Sequence, residues 1–134
     1  MGFEQLEDSL NIASKKVWIS FYADWCVYCK KMDATAYSRS DIIDDLQFNF
    51  YTVKMDAETV DTISFEGQVF VNRNKGQRNG RIHDLALLLG SREDQPYSLP
   101  VTILLDEDFK VLERHFTYLS PKEMKKIISK YKTD

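Results

Sequence analysis

At 134 residues the chain has room for one domain with its own core and none for a second. Its 43% hydrophobic and 29% charged residues exclude a disordered or fibrous chain. A net charge of -3, from 18 Lys+Arg against 21 Asp+Glu, excludes a global field that would gather nucleic acid or anionic membrane.

The first element is expected over residues 3–13, where Phe3, Leu6, Leu10 and Ala13 recur at helical spacing between Glu4, Glu7 and Asp8. Val17-Trp18-Ile19-Ser20-Phe21-Tyr22 is a nearly continuous apolar, β-branched and aromatic run, the pattern of a strand buried on both faces. From Cys26 to about Ala36 the lack of Gly and Pro predicts a helix, which Ser40-Asp41 restarts or continues through Ile42, Ile43 and Leu46. A second strand is expected over Phe48–Met55. Helix, strand, helix, strand implies a right-handed crossover and a parallel pair, hence an α/β sheet.

Thr62 to Val71 alternates around Glu66-Gly67 and predicts a hairpin with Ile63, Phe65 and Phe70 on one face. Glu is a poor first residue for a tight two-residue turn. Asn72 to Arg81 is expected to be a solvated loop, with Arg73, Lys75, Arg78 and Arg81 facing no acid in that stretch. A short helix is expected over Ile82–Leu89, ended by Gly90. After a loop bracketed by Pro96 and Pro100, the strand Val101–Leu105, a turn at Asp106-Glu107-Asp108 and a strand over Lys110–Phe116 predict an antiparallel hairpin. Ser120-Pro121-Lys122-Glu123 has the pattern of a capping box with Pro at the first helical position, and Met124, Ile127, Ile128 and Tyr131 form the apolar stripe that follows.

The chain has two cysteines, Cys26 and Cys29, three positions apart. A bond between them closes too small a loop to restrain the unfolded chain much, so stapling is a weak explanation. Thiol–disulfide exchange is a better one, since it needs an attacking thiolate, a second thiol nearby and an accessible sulfur. At a helix start, Cys26 meets unpaired backbone N–H groups and the positive end of the dipole, which stabilise a thiolate. Cys29, one turn on, is expected beneath it and less exposed. Lys30 and Lys31 are expected to point to solvent, while Trp25 and Tyr28 offer aromatic surface beside the sulfur.

The segment Tyr22-Ala23-Asp24-Trp25-Cys26-Val27-Tyr28-Cys29-Lys30 after a buried strand resembles the redox site of the thioredoxin superfamily. It is similar to thioredoxin-like proteins related to the C-terminal periplasmic domain of the transmembrane disulfide reductase DsbD. Leu99-Pro100-Val101 before an apolar strand resembles the family's cis-proline segment. The resemblance implies a thioredoxin fold over residues 1–134 as one domain: a central mixed β-sheet flanked by helices, with a hairpin and loop inserted before the proline. It also implies a thiol–disulfide oxidoreductase with Cys26 and Cys29 catalytic, and Trp25, Tyr28, Leu99 and Pro100 in contact with substrate. No cofactor or metal is implied. The expected partners are protein disulfides and an unidentified thiol donor, with no nucleic acid and no membrane insertion, and the chain is read as a monomer.

Three departures bear on mechanism. Ser20 stands six positions before Cys26, where thioredoxins carry a buried Asp that helps proton transfer, and Lys54, which aligns with a lysine near that carboxylate, is not given a catalytic role. Val27-Tyr28 replaces Gly-Pro between the cysteines, so a potential is not transferable within a family that ranges from about -270 to -120 mV. The stretch from Asp56 to Pro100 exceeds the family's usual connection, and is expected either to lie near the redox site or to cover a sheet edge.

A protein disulfide reductase is the leading expectation. An oxidase or isomerase is the alternative within the same chemistry, and a binding module or a soft-metal chaperone using both thiolates lies outside it. His83 and His115 are too far apart and too far from the cysteines for a zinc-finger spacing, and the methionines, Met32 and Met124 among them, are expected to fill core. The start, Met1-Gly2-Phe3-Glu4-Gln5, lacks the basic and apolar segments of a signal, but a start left by signal removal looks the same. The compartment is left open, with the periplasm favoured over the cytoplasm.

Overall fold

The computed structural model describes residues 1–78 and 80–132. Asn79, within the loop expected over residues 72–81, lies outside the described residues. The elements run α1 (Phe3–Ile12), β1 (Lys16–Tyr22), α2 (Val27–Thr35), α3 (Ser40–Asn49), β2 (Phe50–Asp56), β3 (Ile63–Phe65), β4 (Gln68–Phe70), α4 (Asp84–Gly90), β5 (Val101–Leu105), β6 (Val111–His115) and α5 (Pro121–Ser129). Four strands form a mixed sheet in the order β2-β1-β5-β6. β1 runs parallel to β2 and antiparallel to β5, which pairs antiparallel with β6.

The apolar run of β1 resolves into two faces because successive side chains point to opposite sides of a strand. Val17, Ile19 and Phe21 join Val101, Ile103 and Leu105 in a layer with Phe3 and Leu6 of α1, Leu85 and Ala86 of α4, and Phe65 of the hairpin. Trp18 and Leu104 face the other way, onto Met32 of α2, Ile42 and Leu46 of α3, and Met124, Ile127 and Ile128 of α5. With both faces covered, Val17 through Phe21 are all buried, which is why that run lacks a polar alternation.

Two expected element starts move by two residues, and the strand expected over Lys110–Phe116 is one residue shorter at each end. β2 begins at Phe50 rather than Phe48, because α3 continues through Asn49, whose side-chain amide donates to the Asp45 carbonyl at 2.7 Å. Phe48 is 68% exposed, so the alternation of Phe48 with Phe50 spans a helix end rather than one strand face. α4 begins at Asp84 rather than Ile82. The preceding backbone is held outside the helix: the His83 N–H donates to the Ala57 carbonyl at 2.7 Å, and the Asp84 N–H to that of Val71 at 3.1 Å. His83 serves as the N-cap, with Nδ1 accepting from the Leu85 N–H at 3.1 Å.

In the β3–β4 hairpin, Ile63 pairs with Phe70 and Phe65 with Gln68. The two turn residues both have positive φ, 51° at Glu66 and 74° at Gly67, the conformation of a type I′ turn. Glycine adopts it freely, whereas Glu66 is held there with its N–H donating to a Glu7 carboxylate oxygen of α1. Phe65 packs edge-on against Phe3 at 5.2 Å and Phe109 at 4.8 Å between ring centres, so this part of the long connection closes the α1 side of the core. α5 opens with the full capping box: the Ser120 hydroxyl accepts from the Glu123 N–H at 3.1 Å and the Glu123 carboxylate from the Ser120 N–H at 3.3 Å.

Candidate redox site

β1 ends at Tyr22, and the chain turns sharply, with the Cys26 N–H donating to the Ala23 carbonyl at 3.0 Å. Cys26 is the N-cap of α2, and its Sγ accepts from the Cys29 N–H at 3.1 Å. A sulfur therefore fills the capping role usually taken by a Ser or Asp oxygen. Cys26 and Cys29 are joined in a disulfide with Cα atoms 5.3 Å apart, a separation within the ordinary range.

The expected difference in exposure between the two sulfurs is absent. Cys26 is 3% exposed and Cys29 6%, because both pack with Ala23, Tyr22 and Leu99. Trp25 and Tyr28 stand out around this buried pair, 62% and 58% exposed, so neither is a core residue. The Leu99–Pro100 peptide is cis, with Pro100 buried at the entrance to β5 and Leu99 against the cysteines.

Leu99 is a ridge between two grooves. On one side a groove of about 320 Å³ is lined by Tyr28, Leu99, Pro100, Phe116 and Tyr118. Tyr28 and Tyr118 lie 6.5 Å apart between ring centres, the Lys31 ammonium sits 4.6 Å above the Tyr118 ring, and the Arg92 guanidinium sits 4.3 Å above Phe116. On the other side a groove of about 590 Å³ is lined by Trp25, Glu58, Arg78, Arg81, Tyr97 and Leu99, among others. Burial pushes the Tyr97 phenol above its usual range, and its hydroxyl has no hydrogen-bond partner among the described residues.

The four positions expected to touch substrate thus divide: Trp25 lines one groove, Tyr28 and Pro100 the other, and Leu99 both. Phe116, Tyr118, Arg78 and Arg81 were not singled out for this surface from the sequence. They come from the loop after β6 and from the long connection, and no spacing relates them to the cysteines.

Behind the cysteines, Ser20 lies between Lys54 of β2 and Thr102 of β5 in the sheet register. It faces the Tyr37 hydroxyl, which accepts from Trp18 Nε1 at 3.1 Å; burial raises the phenol's pKa and keeps it neutral. The Lys54 ammonium turns outward to both oxygens of Asp33 at 2.9 Å. His83 is buried, its Nε2 within 2.8 Å of the Asp61 carbonyl, while His115 Nε2 lies 2.9 Å from a Glu113 oxygen. The two histidines serve separate local networks, and the described residues contain no group of three His, Cys, Asp or Glu positioned to hold a metal.

A disulfide between cysteines at the N-terminus of a helix, on a mixed sheet with a proline alongside, is the arrangement of a thiol–disulfide oxidoreductase. The thioredoxin-like domain family matches residues 4–132, and the chain belongs to that family. Campylobacter jejuni (strain RM1221) thiol:disulfide interchange protein DsbD is 35% identical over 55 residues, 41% of this chain and 10% of the relative. The match thus spans about a tenth of that protein's length.

Among solved structures, the Neisseria meningitidis DsbD C-terminal domain in its reduced form superposes with a TM-score of 0.57 at 16% identity, covering 96% of each chain. A DsbH oxidoreductase superposes with a TM-score of 0.65 at 17% identity, covering 98% of this chain and 81% of its own. These likenesses show the thioredoxin-like fold. Among the described residues, no helix is long and apolar enough to cross a membrane.

Proposed function

We propose that the chain is a protein disulfide reductase working as one thioredoxin-like domain, with Cys26 attacking and Cys29 resolving. The observation that supports this direction is the apolar setting of the sulfurs: both cysteines are buried with Ala23, Tyr22 and Leu99, and among the described residues the Cys29 N–H is the one hydrogen-bond donor to Cys26 Sγ that works the other way, towards a thiolate. A strongly oxidising pair needs a strongly stabilised thiolate. Apolar surroundings disfavour the thiolate relative to the disulfide, which favours a pair that gives electrons away.

In the forward reaction the Cys26 thiolate attacks one sulfur of a substrate disulfide, forming a mixed disulfide and releasing the other substrate sulfur as a thiolate. The Cys29 thiolate then attacks Cys26 Sγ, closing the Cys26–Cys29 bond and expelling the second substrate thiolate. Two electrons pass to the substrate, and an external dithiol returns them to the pair. Trp25 and Tyr28 flank the incoming disulfide, and the Leu99–Pro100 backbone holds the substrate strand. The compartment proposed is the periplasm, where disulfide exchange acts on exported proteins.

Equilibration of the pair in dithiothreitol or glutathione buffers, followed by thiol trapping, measures its potential. A value near -270 mV supports the reductase, a value near about -120 mV reverses the direction, and failure to form the intramolecular disulfide removes the redox reading. In an insulin-type assay, Cys26→Ala is expected to abolish turnover and Cys29→Ala to accumulate a mixed disulfide.

A further inference from the structure

The whole chain carries a net charge of -3, yet the linings of the two grooves beside the disulfide hold Arg78 and Arg81 against Glu58. All three line the groove beside Trp25. The groove beside Tyr28 has no acidic residue in its lining, and Lys31 and Arg92 are stacked on its aromatic rings. None of these four cations enters an ion pair with a described residue, whereas Lys54, Arg73 and Lys125, away from the grooves, hold Asp33, Asp84 and Asp41. The acids near these cations are Glu58 in the groove lining, Asp24 exposed in the loop before Trp25, and Glu93 and Asp94, exposed and next to Arg92 in the chain.

Two features make these four cations a recognition surface rather than a scatter of solvated side chains. Arg92 is held in position, its guanidinium lying over Phe116 while Nη2 donates to the Ser98 hydroxyl at 3.1 Å, which leaves other N–H groups free for a carboxylate. The cations also lie on both sides of Leu99, which lines both grooves and packs against the cysteines.

We propose that the Cys26–Cys29 pair takes its disulfides from acidic polypeptide segments: a strand laid across Leu99 presents carboxylates to Arg78 and Arg81 on one side and to Lys31 and Arg92 on the other. This rests on the disulfide-exchange reading above and names its substrate class. Charges at the rim of an interface act mainly on the association rate and are screened by salt.

The test compares two synthetic peptides that share one intramolecular disulfide and differ in carrying Asp or Lys at the flanking positions. The reduced protein is expected to reduce the acidic peptide with a kcat/KM about tenfold higher at low ionic strength, the ratio falling towards one in 0.5 M salt. Arg78→Glu with Arg81→Glu, both at exposed positions, is expected to remove or invert the preference. Equal rates for the two peptides, or a preference for the basic one, overturn the acidic class and leave the reductase standing.

A second arm uses the same peptides with their cysteines replaced by Ser, followed by amide shift changes at Arg81 and Leu99. If neither disulfide peptide turns over, the redox direction falls. Selective binding of the acidic Ser peptide then still supports the recognition surface, and equal binding of both removes it.

Discussion

Gly90 is the last residue of α4, and it is buried where the helix meets β5. A Cβ built there would lie 3.0 Å from Val101 Cγ1, 3.3 Å from Tyr97 Cε2 and 3.4 Å from the Tyr97 hydroxyl. Gly90→Ala therefore sets two effects against each other. Alanine is favoured over glycine by up to about 1 kcal/mol within a helix, and by less at its last position. Overpacking a close-packed site costs about 1–3 kcal/mol, and the nearest atom here belongs to a β-branched side chain at the start of a central strand, with few rotamers to move into. The steric cost wins, for a net loss of about 1–1.5 kcal/mol, which lowers a urea midpoint by about 0.5–1 M.

Tyr97 and Val101 bracket Leu99-Pro100, so the same substitution is also expected to shift the ridge between the grooves and lower kcat/KM for a protein disulfide. Urea unfolding followed by circular dichroism, run beside the insulin-type assay, checks both effects. A variant as stable as the parent or more so refutes the reasoning. Gly76→Ala is the control: it has ordinary φ and nothing within 4 Å of its Cβ position, and is expected to be neutral or to gain about 0.5 kcal/mol.

Tyr118→Ala removes the wall that faces Tyr28 and supports Lys31, and is expected to raise KM for protein disulfides several-fold with a smaller effect on kcat, as steady-state kinetics will show. Ser120→Ala breaks the capping box of α5 and is expected to cost about 1 kcal/mol in urea unfolding without changing the potential of the cysteine pair. Tyr131, whose hydroxyl donates to a Glu113 oxygen, has its phenol pushed up to about 12 by burial, by that hydrogen bond and by the Glu113 charge. A pKa raised on folding contributes stability that is whole below the unfolded value of about 10 and is lost as pH rises towards 12. Between those limits the parent is expected to lose more stability than Tyr131→Phe, and parallel losses in the two would remove the assignment.

Much of the site is local, and what is local was legible. Tyr22 to Lys30 is one continuous stretch in which the end of a buried strand, a turn and the first turn of a helix follow from neighbouring residues alone, so the cysteine pair and its flanking aromatics are readable without a fold. Ser120 to Glu123 is likewise a self-contained cap. Phe48 shows where local reading ends: its spacing to Phe50 suits a strand, and only the register of β2 against β1, which starts by pairing Lys16 with Phe50, leaves Phe48 and Asn49 to α3.

By itself the sequence determined the buried strand, the cysteine pair at a helix start, the proline before β5 and the redox chemistry they imply. The tertiary structure alone decided what surrounds them. Arg78 and Arg81 read as solvated loop, and Phe116 as the end of a strand, with Tyr118 unmarked beyond it. They reach the redox pair only because the Asp56–Pro100 connection returns to Leu99 and because β6, paired with β5, carries its following loop beside Tyr28. The physical reason is that capping and strand burial are encoded over a few consecutive residues, whereas a groove is set by long-range packing between segments that share no period or spacing in the chain.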